Sequence, residues 1–493
     1  MFANILIGLQ NAITLPALIA MNFGVFFGIV IGALPGLGVA MGVTVMLPFV
    51  FGMETNVGLL LLLGIYCGGT YGGSITAILI KTPGTEAAAV TVIDGYELTK
   101  QGKSGKALDM ALIASTIGGL ISAFTLLFFA PLLAHQVLRF GPPEFFSLGL
   151  FGLTIIASVS GKSVVKGLLM GILGVTLSTV GVDMISGGQR FTFDIVFLYG
   201  GLGLVPSIIG LFSVAEILLK SHTLGTAKAQ EVSKLDSKMG LTRAELKQSL
   251  PVILRSSVIG TVIGAIPAAG AVIASFISYS DARRRSKHPE LFGHGSLEGV
   301  AAPEAGNNAV TAACMIPMFT LGIPGSVVAA IILGALMMNG LIPGPGLFRD
   351  HAPMVYSVMV GMIIINIFMF LQGKLLLRTF VSFTKILPSL LMVLVLLMCL
   401  VGTFAVNNTL LDLIVLIVFA LFGYVLNKLE FPLPPVVLGM VLGPLVEKTL
   451  RQSLLISDGD FSIFVTRPIS IIFLLMTVLS VFFAIRRQRK LSK

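Results

Sequence analysis

The sequence predicts an all-α polytopic membrane protein with about ten to fourteen spans and half-spans, each taking about 20 residues. Three observations carry that prediction. Charged residues are too few for a water-soluble surface, apolar stretches of spanning length recur along the chain, and Gly/Pro breaks interrupt them in paired order.

Apolar residues make up 56% of the 493 residues and charged residues 11%, with a mean hydropathy of +1.01. A soluble domain carries roughly 25% charged residues because its surface must be wetted. Most of the outer surface of this chain must therefore face lipid. Residues 355–371 and 386–406 are two of the stretches free of charge. The first fifteen residues lack the basic segment of a secretory signal, so no cleaved leader is expected. Trp is absent, which leaves Tyr and Phe to form an interfacial belt.

The net charge of +10 is unevenly placed. Lys100, Lys103 and Lys106, residues 220–247, Arg283 to Lys287 and residues 486–493 hold the basic clusters, each beside an apolar span. That is the pattern of cytoplasmic loops under the positive-inside rule. It points to a bilayer as partner rather than a nucleic acid, and to a cytoplasmic C-terminus. Cys67, Cys314 and Cys399 have no metal or redox spacing. Nor do His135, His222, His288, His294 and His351. With no HExxH, Walker loop or nucleophile elbow, the sequence offers no catalytic residue and no resident cofactor or metal. An ATP-driven pump would need its ATPase on another chain.

The longest polar stretch, residues 221–248, divides the chain. The expected organisation is a first membrane repeat at 1–220, a cytoplasmic connector at 221–250, and a second membrane repeat with C-terminal spans at 251–493. Thr242, with Glu245 three residues on, predicts the N-cap of a short amphipathic helix in the connector.

The halves match where the apolar pattern breaks. Gly32-Ala33-Leu34-Pro35-Gly36-Leu37-Gly38 is answered by Gly264-Ala265-Ile266-Pro267-Ala268-Ala269-Gly270. Lys81-Thr82-Pro83-Gly84-Thr85 is answered by Gly322-Ile323-Pro324-Gly325-Ser326, and Thr70 by Thr311 at the same offset. Two matches in one order on either side of a connector predict a duplication. The basic flanks swap sides between the halves: the first break has no Lys or Arg near it, and the second lies between Lys247, Arg255 and Arg283 to Lys287. The two units are therefore expected to be inverted, as broken helices or re-entrant hairpins.

Such breaks point to chemistry. Proline cannot donate its backbone hydrogen bond, and lipid cannot satisfy the groups a broken helix strands. A half-helix N-terminus presents N–H groups and a positive dipole end to a carboxylate, while unwound carbonyls suit Na+. The candidate site residues are the backbone at Pro35, Gly36 and Gly38, at Thr82, Pro83, Gly84 and Thr85, at Pro267 and Gly270, and at Gly322, Pro324, Gly325 and Ser326. Thr70, Tyr71, Ser74, Asn307, Asn308 and Thr311 are the candidate polar side chains. A single Ser or Thr in a span more often bonds its own helix; adjacent Asn307 and Asn308 are costlier at membrane depth. Lys81 follows an apolar run, where an ionisable group is a functional candidate by default and a snorkelling lysine the plain alternative. Glu304 is expected nearer the interface as a solvated carboxylate, and Asp94, Asp183 and Glu216 near span ends.

At these residues the chain resembles the large membrane subunit of the tripartite tricarboxylate transporters, the TctA family. The resemblance rests on Gly32 to Gly38, Gly64-Ile65-Tyr66 through Ser74, Thr82 to Thr85, Asp94-Gly95-Tyr96, Phe276 to Tyr279, Phe292-Gly293, Glu298-Gly299, Pro303-Glu304 with Asn307-Asn308, and Leu321 to Ser326. It implies a secondary importer in the bacterial inner membrane. Its partners would be a small membrane subunit and a periplasmic solute-binding protein that captures a di- or tricarboxylate, with Na+ or H+ as the coupling ion. It also implies an ion-transporter-like architecture of inverted repeats with an elevator-type movement. Lys81 departs from the family pattern, where a small polar residue such as Asn is commoner, and Glu86 adds an acid. An organic-anion channel would need a continuous polar face along several spans, and a membrane enzyme would need convergent acid/base or metal residues. Neither pattern is present in the sequence.

Overall fold

The computed structural model describes residues 2–34, 37–159, 163–183, 186–224, 240–267, 270–384 and 388–491. In chain order the helices are α1 (Phe2–Ala12), α2 (Leu15–Gly32), α3 (Gly38–Val50), α4 (Thr55–Ile80), α5 (Thr91–Lys100), α6 (Ser104–Val137), α7 (Pro142–Val159), α8 (Val164–Ser178), α9 (Leu204–Ile208) and α10 (Ala215–Leu224). There follow α11 (Arg243–Ala265), α12 (Gly270–Arg285), α13 (Leu297–Ala313), α14 (Met315–Leu321), α15 (Val327–Met338), α16 (Gly346–Asp350), α17 (Ala352–Leu375) and α18 (Leu377–Phe383). The chain closes with α19 (Pro388–Asn407), α20 (Leu410–Lys428), α21 (Pro434–Ile456), α22 (Ile463–Thr466) and α23 (Pro468–Leu491). The protein is an all-α polytopic membrane protein. Among the described residues nine helices are long and apolar enough to cross a bilayer, and three shorter apolar ones begin at Gly38, Val164 and Val327.

The chain folds as two compact units. One holds Met1–Leu133 and Thr223–Val395, the other Ala134–His222 and Leu396–Lys493. Each unit draws on residues from both sides of the connector.

In the first unit, α2 and α4 pack through interdigitated small residues. A Cβ on Gly24, Gly28 or Gly32 would lie 2.4, 2.5 or 2.1 Å from the carbonyl oxygen of Leu61, Ile65 or Gly69. Gly64, Gly68 and Gly72 are closed in return by the carbonyls of Met21, Val25 and Ile29. Lipid supplies no hydrophobic drive between apolar helices, so close backbone approach over small residues is what holds them. On the far side of the connector α11 packs on α13 in the same manner, with Gly260 against the Gly306 carbonyl at 2.2 Å.

The connector falls largely on residues 225–239, outside the described residues. Its predicted cap is present. Thr242 Oγ1 accepts the Glu245 N–H at 3.2 Å, and Glu245 Oε2 accepts the Thr242 N–H at 2.8 Å. The helix it starts is not short, however. α11 runs unbroken from Arg243 to Ala265, because Pro251 is carried within it.

In the second unit, Gly174 and Gly439 bring α8 and α21 into backbone contact. A short antiparallel hairpin pairs Gly181 with Arg190 and Val182 with Gln189. Beside it lies a charge network: Arg190 on Glu447 at 2.6 Å, and Arg451 on Asp183 at 2.8 Å and on Glu447 at 3.2 Å. Arg467 reaches Glu144 at 3.3 Å. Asp183, a few residues past the end of α8, is thus a buried partner of arginine. α23 turns Leu475, Val478 and Phe482 outward.

Candidate functional site

The predicted break residues all lie in the first unit, and the structure draws most of them into two clusters. Pro35 and Gly36 lie outside the described residues, as do Ala268 and Ala269. Gly38 and Gly270, which open α3 and α12, both adopt left-handed backbone, with φ of 66° and 71°. Pro267 is buried just before the second of these.

The first cluster forms where α4 stops. Lys81 is the C-cap of α4 in left-handed conformation, φ 59°. It is exposed, and its Nζ lies 5.9 Å from the Tyr96 ring centroid. Thr82 Oγ1 donates to the Ile80 carbonyl at 3.3 Å, beside half-buried Pro83. The Gly84 N–H donates to the Gly73 carbonyl at 3.2 Å, and a Cβ on Gly84 would lie 1.8 Å from the Gly32 oxygen. This break therefore rests on the end of α2, where the Pro35 break begins. Thr85 Oγ1 accepts the Ala88 N–H at 3.3 Å and caps the turn at Ala87–Ala89.

The second cluster forms where α14 stops. Gly322 is its C-cap, again left-handed at φ 74°. Buried Pro324 follows, and a Cβ on Gly325 would lie 2.9 Å from the Gly264 oxygen and 2.7 Å from Cys314 Cβ. Ser326 Oγ accepts the Ala329 N–H at 3.1 Å as the N-cap of α15. Tyr66 on α4 ties the first half to this break: its hydroxyl sits 3.3 Å from Ser326 Oγ and 3.5 Å from Cys314 Sγ.

The candidate side chains separate by chemistry. Thr70, Ser74 and Thr311 donate to the carbonyls of Tyr66, Tyr71 and Asn308 at 2.8, 2.7 and 2.7 Å. With its proton committed to a carbonyl, such a hydroxyl presents only lone pairs outward, which suits a cation rather than a carboxylate. Donors for an anion are ordinarily the N–H groups at a helix start; at the start of α15 Ser326 Oγ already takes that of Ala329. Both polar atoms of Asn307, and Asn308 Oδ1, are buried without a partner among the described residues. Buried unsatisfied amides are uncommon, and an ordered water or an ion is the usual partner of such groups. Among the described residues no group of three His, Cys, Asp or Glu is placed to hold a metal.

Three residues carry more than the sequence indicated. Glu304 is wholly buried rather than solvated, because the small residues Ala301, Ala302, Ala305 and Gly306 bring α13 into the packed interior. Asp94 is also buried. Its Oδ1 accepts the N–H groups of Gly293, Gly295 and Ser296 at 2.9, 3.0 and 2.8 Å, and its Oδ2 accepts the Tyr279 hydroxyl at 2.8 Å. Tyr66 looked like part of a Gly-rich block, and only its partners show what it does. A cavity of about 280 Å³ opens near the basic loops, among Lys103, Lys106, Glu245, Ser286 and Glu298, and none of the predicted site residues lines it.

The family model described as "Tripartite tricarboxylate transporter TctA family" matches residues 18–438. Two relatives come from Agrobacterium vitis. The first, the uncharacterized 52.8 kDa protein in the TAR-I ttuC' 3'region, is 36% identical over 471 residues, covering 95% of this chain and 93% of the relative. The second, an uncharacterized protein in the TAR-II ttuC' 3'region, is 38% identical over 211 residues, covering 43% of this chain and 87% of the relative. No solved structure matches the chain.

Proposed function

We propose, from the premise that this chain belongs to the tripartite tricarboxylate transporter TctA family, that it is the membrane-embedded transport subunit of a binding-protein-dependent secondary importer for di- and tricarboxylates, driven by a Na+ or H+ gradient. Its partners are a small membrane subunit and a periplasmic solute-binding protein. It sits in the bacterial inner membrane with a cytoplasmic C-terminus, built on two inverted repeats that move as an elevator.

One observation carries this reading: the two halves keep one register through their breaks. Gly28 meets the Ile65 carbonyl as Gly260 meets that of Gly306, and Gly84 meets the Gly32 carbonyl as Gly325 meets that of Gly264. Lys81 and Gly322 are left-handed caps at matching positions. Thr85 and Ser326 each cap the third residue on. Paired broken units of this kind, each with a helix start for a carboxylate and carbonyls for a cation, are the general plan of a secondary-transporter site. Support for the cytoplasmic side comes from the basic loops. Lys106 pairs with Glu245 at 2.5 Å, and Gln101 donates to the His294 carbonyl at 2.7 Å, so two of those loops share one face.

The test is uptake of labelled di- and tricarboxylates by vesicles containing the reconstituted complex, with Na+ and pH gradients imposed separately. Accumulation that needs the binding protein and responds to one of the gradients is the expected result. Uptake indifferent to both would overturn secondary transport. For Lys81, the Lys81→Asn variant is expected to change substrate range or Na+ dependence, and unchanged values for both would remove it from the site.

A further inference from the structure

Glu304 is a buried acidic side chain of the first unit with no ion-pair partner among the described residues. Its carboxyl is 0% exposed. Thr91 Oγ1 donates to Oε1 at 2.5 Å, and Ser115 Oγ donates to Oε2 at 3.1 Å. Asn308 Nδ2 donates in turn to Ser115 Oγ at 2.8 Å and to the Glu304 carbonyl at 3.1 Å. The ring of partners thus draws on three segments: the start of α5, the middle of α6, and α13 itself.

Two neutral hydroxyls do not balance a sealed carboxylate. An uncompensated ion in a protein interior costs several kcal/mol even after relaxation, and a carboxylate can accept about four hydrogen bonds. A proton removes that cost, provided its O–H finds an acceptor. The same helix holds unused buried acceptors, Asn307 Oδ1 and Asn308 Oδ1, neither with a partner among the described residues. A hard cation fits less well, because the groups already on the carboxylate are donors, whereas a cation needs convergent oxygens with lone pairs free.

Titratable groups lie on each neighbouring element. From α4 come buried Cys67 and Tyr71, the hydroxyl of Tyr71 without a partner among the described residues. From α5 comes Asp94, taken up by three N–H groups and by Tyr279 of α12. From α6 comes Asp109, held by Lys374 at 2.8 Å. Arg255 of α11 and Asp281 of α12 face each other at 3.7 Å. On α13 itself Glu298 accepts from Ser286 at 2.7 Å, and beyond its end Cys314 contacts Tyr66. Among the described residues, only the Thr91 and Ser115 hydroxyls bond the Glu304 carboxyl.

We propose that Glu304 is a proton-carrying site of this transporter, loaded by one proton on its carboxyl, with Thr91, Ser115 and Asn308 as positioning residues. The proposal rests on the secondary-transport reading for its purpose, and the protonation itself stands apart from it.

The experiment uses the full chain in lipid vesicles and has two readouts. Infrared difference spectra across a pH titration read the carbonyl stretch of a protonated carboxylic acid. The expected result is a band in the wild type that is absent in Glu304→Gln and shifted in Thr91→Val. Uptake by the complete complex, with an inward proton gradient of one pH unit, is expected to rise about tenfold in the wild type, following proton activity. That rise is lost in Glu304→Gln and partly restored in Glu304→Asp. A band unchanged in Glu304→Gln, or an undiminished response of that variant to the gradient, overturns the proposal. If Glu304→Gln fails to fold, the Thr91→Val spectrum decides: an unshifted band is the overturning result. Loss of all carboxylate uptake by the wild type, with the Glu304 band present, would sink the transport reading and leave the protonation standing.

Discussion

The two Pro-Gly breaks share a scaffold and differ in chemistry. Both end a helix on a left-handed cap, both press a glycine onto the carbonyl of a glycine at the end of the partner helix, and both restart with a hydroxyl cap. The side chains then part company. Glu304, Asn307 and Asn308 occupy α13, while the matching positions of α4 are Leu63, Tyr66 and Cys67. The first half carries Asp94, whose counterpart is Ala335. Close backbone packing fixes where a break can be, and it leaves the side chains free to specialise: the second half holds Glu304 and the buried amides, the first half Asp94 with its three N–H partners.

The largest test of that comparison is steric. Gly84→Ala puts a methyl 1.8 Å from a backbone oxygen, and is expected to cost about 3 kcal/mol or more. Gly325→Ala meets its nearest neighbours at 2.7 and 2.9 Å, and should cost about 1–2 kcal/mol. Thermal melting of the detergent-solubilised protein, followed by the fraction surviving size-exclusion, measures both. Equal effects would mean that the two breaks are not packed as described.

Next is Asp94. Asp94→Asn leaves Oδ1 to accept the three N–H groups without its charge and turns a new N–H donor toward the Tyr279 hydroxyl, which has donated to Oδ2, a loss of about 1–3 kcal/mol. The checking measurement is hydrogen exchange of the Gly293–Ser296 amides, which should speed up in the variant while exchange in α15 is unchanged. The smallest effect belongs to the caps. An L-residue in left-handed backbone costs roughly 1–2 kcal/mol, and Asn bears that conformation better than Lys. Gly322→Lys should therefore lower stability by about 1 kcal/mol, and Lys81→Asn should raise it by about 0.5 kcal/mol. Opposite shifts in melting temperature are the expected outcome.

Much of this architecture was legible in the sequence. Apolar length gave the spans, Gly and Pro gave the breaks, and the Thr242/Glu245 pair gave a helix start that is present as read. What composition could not place was depth. Glu304 lies within a turn of a proline and among small residues, a pattern compatible with either an interface or a packed interior. Its partners Thr91 and Ser115 stand 213 and 189 residues away in sequence, and Ser115 sits in an ordinary apolar run. The spacing of Glu304 and Asn308, one helical turn apart on the same face, was the available signal. For Lys81 the apolar run before it suggested depth. Its position as an exposed cap over Tyr96 comes from where the helix stops, which hydropathy does not show.

Asp94 has one more consequence, for how the chain is made. The amides that surround its carboxylate begin 199 residues downstream. During synthesis α5 therefore emerges carrying an acid whose partners the ribosome has yet to translate. The Gly293–Ser296 loop and α5 can join only after the residues between them have been made, so this contact is among the late, long-range ones of the first unit.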